Sequence, residues 1–438
     1  MRIAYIAAGA AGSYCGACAR DVALARGLIA RGHDVVLLPL YTPLRSDTAA
    51  PGLTRVFYGG INSYLQQRFA FFRKTPRFVD WLFDRPWLLK LASRFAIETR
   101  PEELGEMTVS VLRGAEGPQR KELERLIGFL EREQRPDVVN VTNSLLSAVA
   151  PEIKRRLGVQ LFCTLQGEES FVARLPRPHR DEATSLMRRH AQHYDLLFSP
   201  GEAYAEEMSA FLAVPRERIR VVRSGIELTP YRASGPRVRE PFRIGFLSRV
   251  SPAKGLDILV EAFVLLEQNR PGRAVLSVAG GTAGPNKDFL NRLRARIASA
   301  GLTDRFEYFG EVDLAGKARF LRNLSVFCLP SRYAEQRAVA CLEAMAAGVP
   351  VVVPRLGLFP ELIALTSGGA LVPVEDPPAV AAALASLMDD PERADRMGQS
   401  AAEGVARHFS AELMTAQTLA IYEEALAAQA GMGLANPV

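Results

Sequence analysis

Cysteine is scarce in these 438 residues, at five positions: Cys15, Cys18, Cys163, Cys328 and Cys341. So few thiols in so long a chain make no disulfide framework. Long apolar runs are missing as well. No stretch of 18 apolar residues occurs, which excludes a membrane-spanning helix of the usual kind. The opening Met1-Arg2-Ile3-Ala4-Tyr5-Ile6-Ala7-Ala8 is too short for a secretory apolar core and turns glycine-rich at once. No signal peptide is therefore expected, and the cytoplasm is the default location. The five histidines are scattered without ligand spacing, and no paired-aspartate motif is placed to hold a metal. Lysine and arginine number 54 against 48 acidic residues, for a net charge of +6, yet no basic run is dense enough for nucleic acid. The surplus suits an anionic ligand or an acidic membrane surface, including the inner face of a membrane.

What is present is the composition of a folded globular protein, 48% hydrophobic and 23% charged. The length exceeds what one core serves, so two domains are expected. Arg2 to Ala8 reads as a buried strand. A glycine-rich turn follows from Gly9 to Gly16, then a helix from Arg20 to Arg31 with Val22, Leu24, Leu28 and Ile29 on its apolar side, then a strand from Asp34 to Pro39. Further strands are read at Pro136–Val141, Val159–Thr164 and Asp195–Pro200. The stretch Glu227 to Glu240 lacks periodicity and holds Pro230, Gly235 and Pro236, which marks a boundary. The pattern then restarts, with strands at Phe242–Leu247, Ala274–Ala279, Leu324–Leu329 and Val349–Val353. Strands alternating with helices predict a parallel, doubly wound α/β sheet in each half. The domains expected are 1–228, 229–410 and a terminal helical segment, 411–438.

Two segments carry chemistry. In the first, Pro330-Ser331-Arg332-Tyr333-Ala334-Glu335 precedes a helix predicted from about Val339 to Ala347, with Glu343 in its second turn. The unpaired N–H groups at such a helix start, at Val339 and Ala340, can hold a diphosphate. The carboxylates of Glu335 and Glu343 can accept hydrogen bonds from sugar or ribose hydroxyls. In the second, a strand runs into a loop with Arg249 and Lys254, and Gly255 opens a helix. Two cations five residues apart can neutralise charge growing on a departing diphosphate, in place of a metal.

These segments resemble the retaining glycosyltransferases of family 4. In that family a G-R-x-x-x-x-K-G segment and an E-x7-E segment flank the donor pyrophosphate, and Arg249, Lys254, Glu335 and Glu343 stand at the matching positions. The resemblance extends over most of the chain. Gly32-His33-Asp34-Val35, Arg220-Val221-Val222-Arg223-Ser224-Gly225-Ile226-Glu227, Gly280-Gly281, Pro360-Glu361 and Gly369-Ala370-Leu371-Val372-Pro373 all match family segments. It implies the GT-B fold: two facing Rossmann-like domains, with a C-terminal helix crossing back to the N-terminal domain. It also implies a nucleotide-sugar donor held mainly by the C-terminal half, and an acceptor (glycan, lipid or small molecule) on the N-terminal side. No cofactor or obligatory metal is implied. Arg249, Lys254 and Glu335 are the implied catalytic residues. Gly12, Ser13, Gln166, Gly281, Val339, Ala340 and Glu343 are the implied donor-binding ones.

Departures from the family pattern motivate an alternative, a catalytically weakened GT-B protein that binds a nucleotide sugar or a partner without turnover. Gln336-Arg337-Ala338 follows Glu335 where the family has x-Phe-Gly. Gln166 stands where the family has a histidine, and an amide cannot titrate near neutral pH. Two other features stay open. Cys15 and Cys18 form a C-x-x-C before a helix, read either as loop closure or as a redox pair. The aromatic and basic stretch from Tyr58 to Phe95 is either internal packing or a membrane-facing or acceptor-binding surface.

Overall fold

The computed structural model describes residues 1–9, 16–40, 101–232, 240–282, 284 and 286–434. It divides into two compact units. One comprises Met1–Arg223 with Met414–Val438, and the other Ser224–Leu413.

The first unit is built on six parallel strands: β1 (Arg2–Ala7), β2 (Asp34–Pro39), β3 (Val138–Thr142), β4 (Gln160–Thr164), β5 (Leu196–Ser199) and β6 (Ile219–Val221). Their order is β2-β1-β3-β4-β5-β6. Every residue of β3 and β4 is buried, as parallel strands covered on both faces require. The pleat of β1 feeds two cores. Ala4 and Ile6 join one apolar cluster, while Ile3, Tyr5 and Ala7 join another. The second cluster includes Val22, Leu24 and Leu28 of the helix Gly16–Ala30, whereas Ile29, read with that side, is exposed. Burial also holds the Tyr5 phenol up to about 12, beside the buried Arg20 and Asp21.

The C-terminal helix Ala411–Leu434 contributes Met414 and Tyr422 to this same cluster. Asn140 of β3 donates to the Tyr422 hydroxyl at 2.8 Å, and the Phe162 and Tyr422 rings lie 4.8 Å apart. The helix thus packs on the first unit, as the fold resemblance implies. On its inner face Met414, Thr415, Thr418 and Tyr422 are buried and Leu419 and Leu426 pack against the cluster, while Ala416 and Ala420 are exposed. A threonine is tolerated inside because Thr418 returns its hydroxyl to the Met414 carbonyl at 2.8 Å. Thr415 sits against Gly27, where any side-chain carbon would lie 2.2 Å from its hydroxyl.

The second unit carries β7 (Phe242–Leu247), β8 (Ala274–Ala279), β9 (Phe306–Tyr308), β10 (Val326–Cys328), β11 (Val351–Pro354) and β12 (Gly369–Val372). These strands too are parallel, in the order β12-β11-β10-β7-β8-β9, around one apolar core. From β7 the chain builds outward through β8 to β9. It then returns to lay β10 on the other side of β7. The crevice between the carboxyl ends of β7 and β10 is therefore a topological switch point, where open α/β sheets bind ligands. Among the described residues, no helix is long and apolar enough to cross a membrane.

Candidate active site at the switch point of the second sheet

The loop leaving β7 is pinned to its neighbour before it reaches the cations. Ser248 N–H donates to the Ala279 carbonyl (3.2 Å), and Val250 N–H to the Gly281 carbonyl (3.0 Å). Gly280 adopts φ +136°, and a side-chain carbon there would meet the Ser248 carbonyl oxygen at 1.8 Å. Only glycine fits. This brings Gly281 beside the loop bearing Arg249, whose side chain is exposed and, among the described residues, unengaged. The loop ends in the turn Pro252–Lys254, and the helix Leu256–Asn269 starts after Gly255.

The loop leaving β10 comes back to the same turn. Arg332 N–H donates to the Ala253 carbonyl at 2.9 Å. Lys254 Nζ then donates both to the Glu335 carboxylate and to the Tyr333 hydroxyl. Ser331 Oγ adds a bond to Glu335 Oε1 at 3.3 Å. Only 14% of the Lys254 side chain and 12% of the Glu335 side chain are exposed, so water screens this pair weakly. Burial alone would lower the Lys254 ammonium, but the neighbouring Glu335 charge prevails and its pKa is raised. Burial, and then the Glu335 charge, raise the Tyr333 phenol. The Glu335 carbonyl accepts from Leu358 N–H at 2.9 Å, which holds the glutamate's backbone from behind.

Beyond Glu335 the chain passes through Gln336 and Arg337 into the helix Val339–Ala346, with Ala338 at the N-cap and no side chain capping it. Ala338 holds φ +48° and ψ 29°, a left-handed backbone that an alanine rarely takes. No side chain caps the first-turn N–H groups at Val339 and Ala340, the kind of helix start that can take an anion. Glu343, one turn on, is in a different setting from Glu335. Its carboxylate is buried and accepts from Lys317 Nζ at 2.6 Å and the Tyr231 hydroxyl at 2.7 Å.

The second unit therefore gathers Arg249, Lys254, Gly281, Glu335, Val339, Ala340 and Glu343. Gln166 belongs to the first unit. It is buried in the loop after β4, its N–H donating to Glu168 at 2.7 Å. Glu168 also accepts from Ser144 N–H (2.8 Å) and the Tyr204 hydroxyl (3.1 Å), and burial raises its carboxyl pKa. Gly12, Ser13, Cys15 and the Tyr58–Phe95 stretch lie outside the described residues, and Cys18 is buried. Several side chains at the site have no role in the sequence reading, among them Tyr333, Lys317 and Tyr231. Tyr333 is legible as a phenol two residues before Glu335. Lys317 lies 26 residues before Glu343, with no local signal linking them.

A family model described as glycosyl transferases group 1 matches residues 229–404, and one described as a glycosyl transferase 4-like domain matches residues 19–225. The D-inositol 3-phosphate glycosyltransferase of Streptomyces avermitilis is 30% identical over 246 residues, 53% of this chain and 53% of that protein. The lipopolysaccharide core biosynthesis mannosyltransferase LpsB of Rhizobium meliloti is 35% identical over 187 residues, 41% of this chain and 51% of its own. The matches thus span about half the length of these relatives. Among solved structures, Anabaena HepE in complex with UDP aligns with a TM-score of 0.69 at 15% identity, covering 97% of this chain and 100% of that one. Sucrose-phosphate synthase from Thermosynechococcus elongatus aligns with a TM-score of 0.69 at 18% identity, covering 97% and 99%. These likenesses identify the two-domain α/β GT-B fold.

Proposed function

We propose, for a chain that belongs to the family-4 glycosyltransferases, that it moves a sugar from a nucleotide-diphosphate donor to an acceptor hydroxyl, with retention at the anomeric carbon. The contact of Lys254 with Glu335 at the switch point carries this reading. It sets a cation and a carboxylate side by side, next to a helix start that no side chain caps. On this reading the N–H groups of Val339 and Ala340, with Arg249 and Lys254, take the diphosphate. Glu335 accepts hydrogen bonds from the donor sugar, and Glu343 takes part on the nucleotide side. The acceptor oxygen bonds to the anomeric carbon as the carbon–phosphate oxygen bond breaks on the same face. The acceptor proton passes to the departing phosphate oxygen. Lys254 and Arg249 stabilise the charge that gathers there. The names of the relatives, an inositol-phosphate glycosyltransferase and a core mannosyltransferase, support a hydroxyl acceptor on a polyol or glycan.

A second reading, donor binding without turnover, draws on Ala338. A left-handed alanine at the helix N-cap, its methyl buried in the core, strains a turn that a glycine would carry freely. One assay separates the two. The chain is incubated with UDP-, GDP- and ADP-sugars, without acceptor and then with inositol phosphates and oligosaccharides. Release or transfer of sugar supports the enzyme. Tight donor binding with neither supports the second reading.

A further inference from the structure

We propose that Arg332 is a positioning residue of the donor site. It ties the Lys254 turn to the Glu335 loop and cancels a carboxylate, Asp257, that would otherwise oppose a diphosphate. The inference rests on the reading of this site as a diphosphate site.

Asp257 is the second residue of the helix Leu256–Asn269, three residues beyond Lys254. A helix start offers partial positive charge to an anion, and a carboxylate in the first turn consumes it. Left alone, Asp257 would repel an incoming diphosphate and compete for Lys254. Arg332 meets it with a two-pronged contact: Nη1 donates to Asp257 Oδ1 at 2.7 Å, and Nη2 to Oδ2 at 2.8 Å. The same guanidinium reaches the turn itself, with Nη1 donating to the Pro252 carbonyl at 2.6 Å. The Arg332 backbone N–H holds the next carbonyl, that of Ala253. Nε donates to Glu375, whose side chain is 59% exposed and screened by water. Arg332 thus grips both residues preceding Lys254, from a loop position three residues before Glu335. A lysine could not do this, because a single ammonium lacks the planar fork needed to serve a carboxylate and a carbonyl together.

The test is calorimetry of UDP, GDP and ADP on the full chain and on four variants: Arg332→Met, Asp257→Asn, the double variant and Arg332→Lys. Arg332→Met is expected to weaken the diphosphate that the wild type binds by roughly ten- to a hundredfold, because a partly buried carboxylate is left unpaired beside it. Asp257→Asn in that background is expected to restore about tenfold of the loss. The deficit of Arg332→Met should also shrink at high salt, a response that lost packing alone does not give. If Arg332→Met does not fold, Arg332→Lys with and without Asp257→Asn carries the same comparison. Wild-type affinity in Arg332→Met, or a double variant no tighter than the single, overturns the inference. A wild-type chain that binds none of the three nucleotides overturns the diphosphate reading of the site, and the inference with it.

Discussion

A side-chain carbon on Gly255 would lie 1.9 Å from the carbonyl oxygen of Pro330. The start of one helix and the loop leaving β10 therefore touch backbone to backbone, and this approach lets Lys254 reach Glu335. Gly255 also holds φ +74°. Gly255→Ala should cost about 1–2 kcal/mol for the left-handed backbone and about 1–3 kcal/mol for the overlap. Nucleoside-diphosphate affinity should fall with it, since the two loops must part. Chemical denaturation together with calorimetry checks both; an alanine variant matching the wild type in each would show that the loops have room to move.

Arg249 should matter to turnover more than to folding, whereas Lys254→Ala also leaves the nearly buried Glu335 carboxylate unpaired and should cost stability as well. Removing one preorganised charge from a site of this kind costs on the order of a hundredfold. Arg249→Ala and Lys254→Ala are expected to lose that much in steady-state transfer. Glu335→Gln should weaken transfer while UDP or GDP alone still binds. Loss of diphosphate binding in Glu335→Gln, with transfer intact in Lys254→Ala, would reverse these assignments.

No divalent ion should be obligatory, because two cations and a helix start provide the positive charge. Transfer is expected to persist in EDTA. Activity abolished by the chelator and restored by magnesium or manganese contradicts this.

Ala338→Gly should leave stability nearly unchanged. Relief of the left-handed alanine returns about 1–2 kcal/mol. Against it stand about 0.8 kcal/mol for the lost buried methyl and about 0.4–1 kcal/mol for a freer unfolded chain. The terms cancel to within about 1 kcal/mol, so any gain should appear in tighter diphosphate binding. A melting curve and a calorimetric titration of the variant decide; weaker binding by Ala338→Gly would mean that the methyl contributes to the site.

His190 predicts a pH response of the first unit. It is buried, with Nδ1 3.2 Å from Ser147 Oγ, and burial lowers its pKa to about 4 from an ordinary 6.5. The folded state thus binds fewer protons than the unfolded one between these values. Stability is full above about pH 6.5 and is lost as pH falls toward 4, by on the order of 3 kcal/mol. The advantage of the wild type over His190→Gln in denaturant should narrow across that window. A gap that stays constant with pH would show that His190 titrates normally.

By itself, the sequence determined the elements whose signals are local. β2, β7 and β8 stand where their apolar runs and flanking turns predict, because a parallel strand that is largely buried writes a continuous apolar run into the chain. β6 and β9 are interrupted by a charged residue, and the run in β12 is only Ala370-Leu371-Val372. All three are three or four residues long, lie at sheet edges, and are strands only because a neighbour pairs with them. The site divides the same way. The residue types and spacing of Arg249, Lys254, Glu335 and Glu343 were legible, since each pair sits within one loop or one loop and its helix. That Lys254 touches Glu335 across 81 residues, that Lys317 neutralises Glu343, and that Arg332 holds Asp257 were decided by the tertiary structure alone. The order reversal between β7 and β10 folds distant loops onto one crevice. Which side chains then meet depends on backbone approaches such as Gly255 to Pro330, a contact that no local pattern encodes.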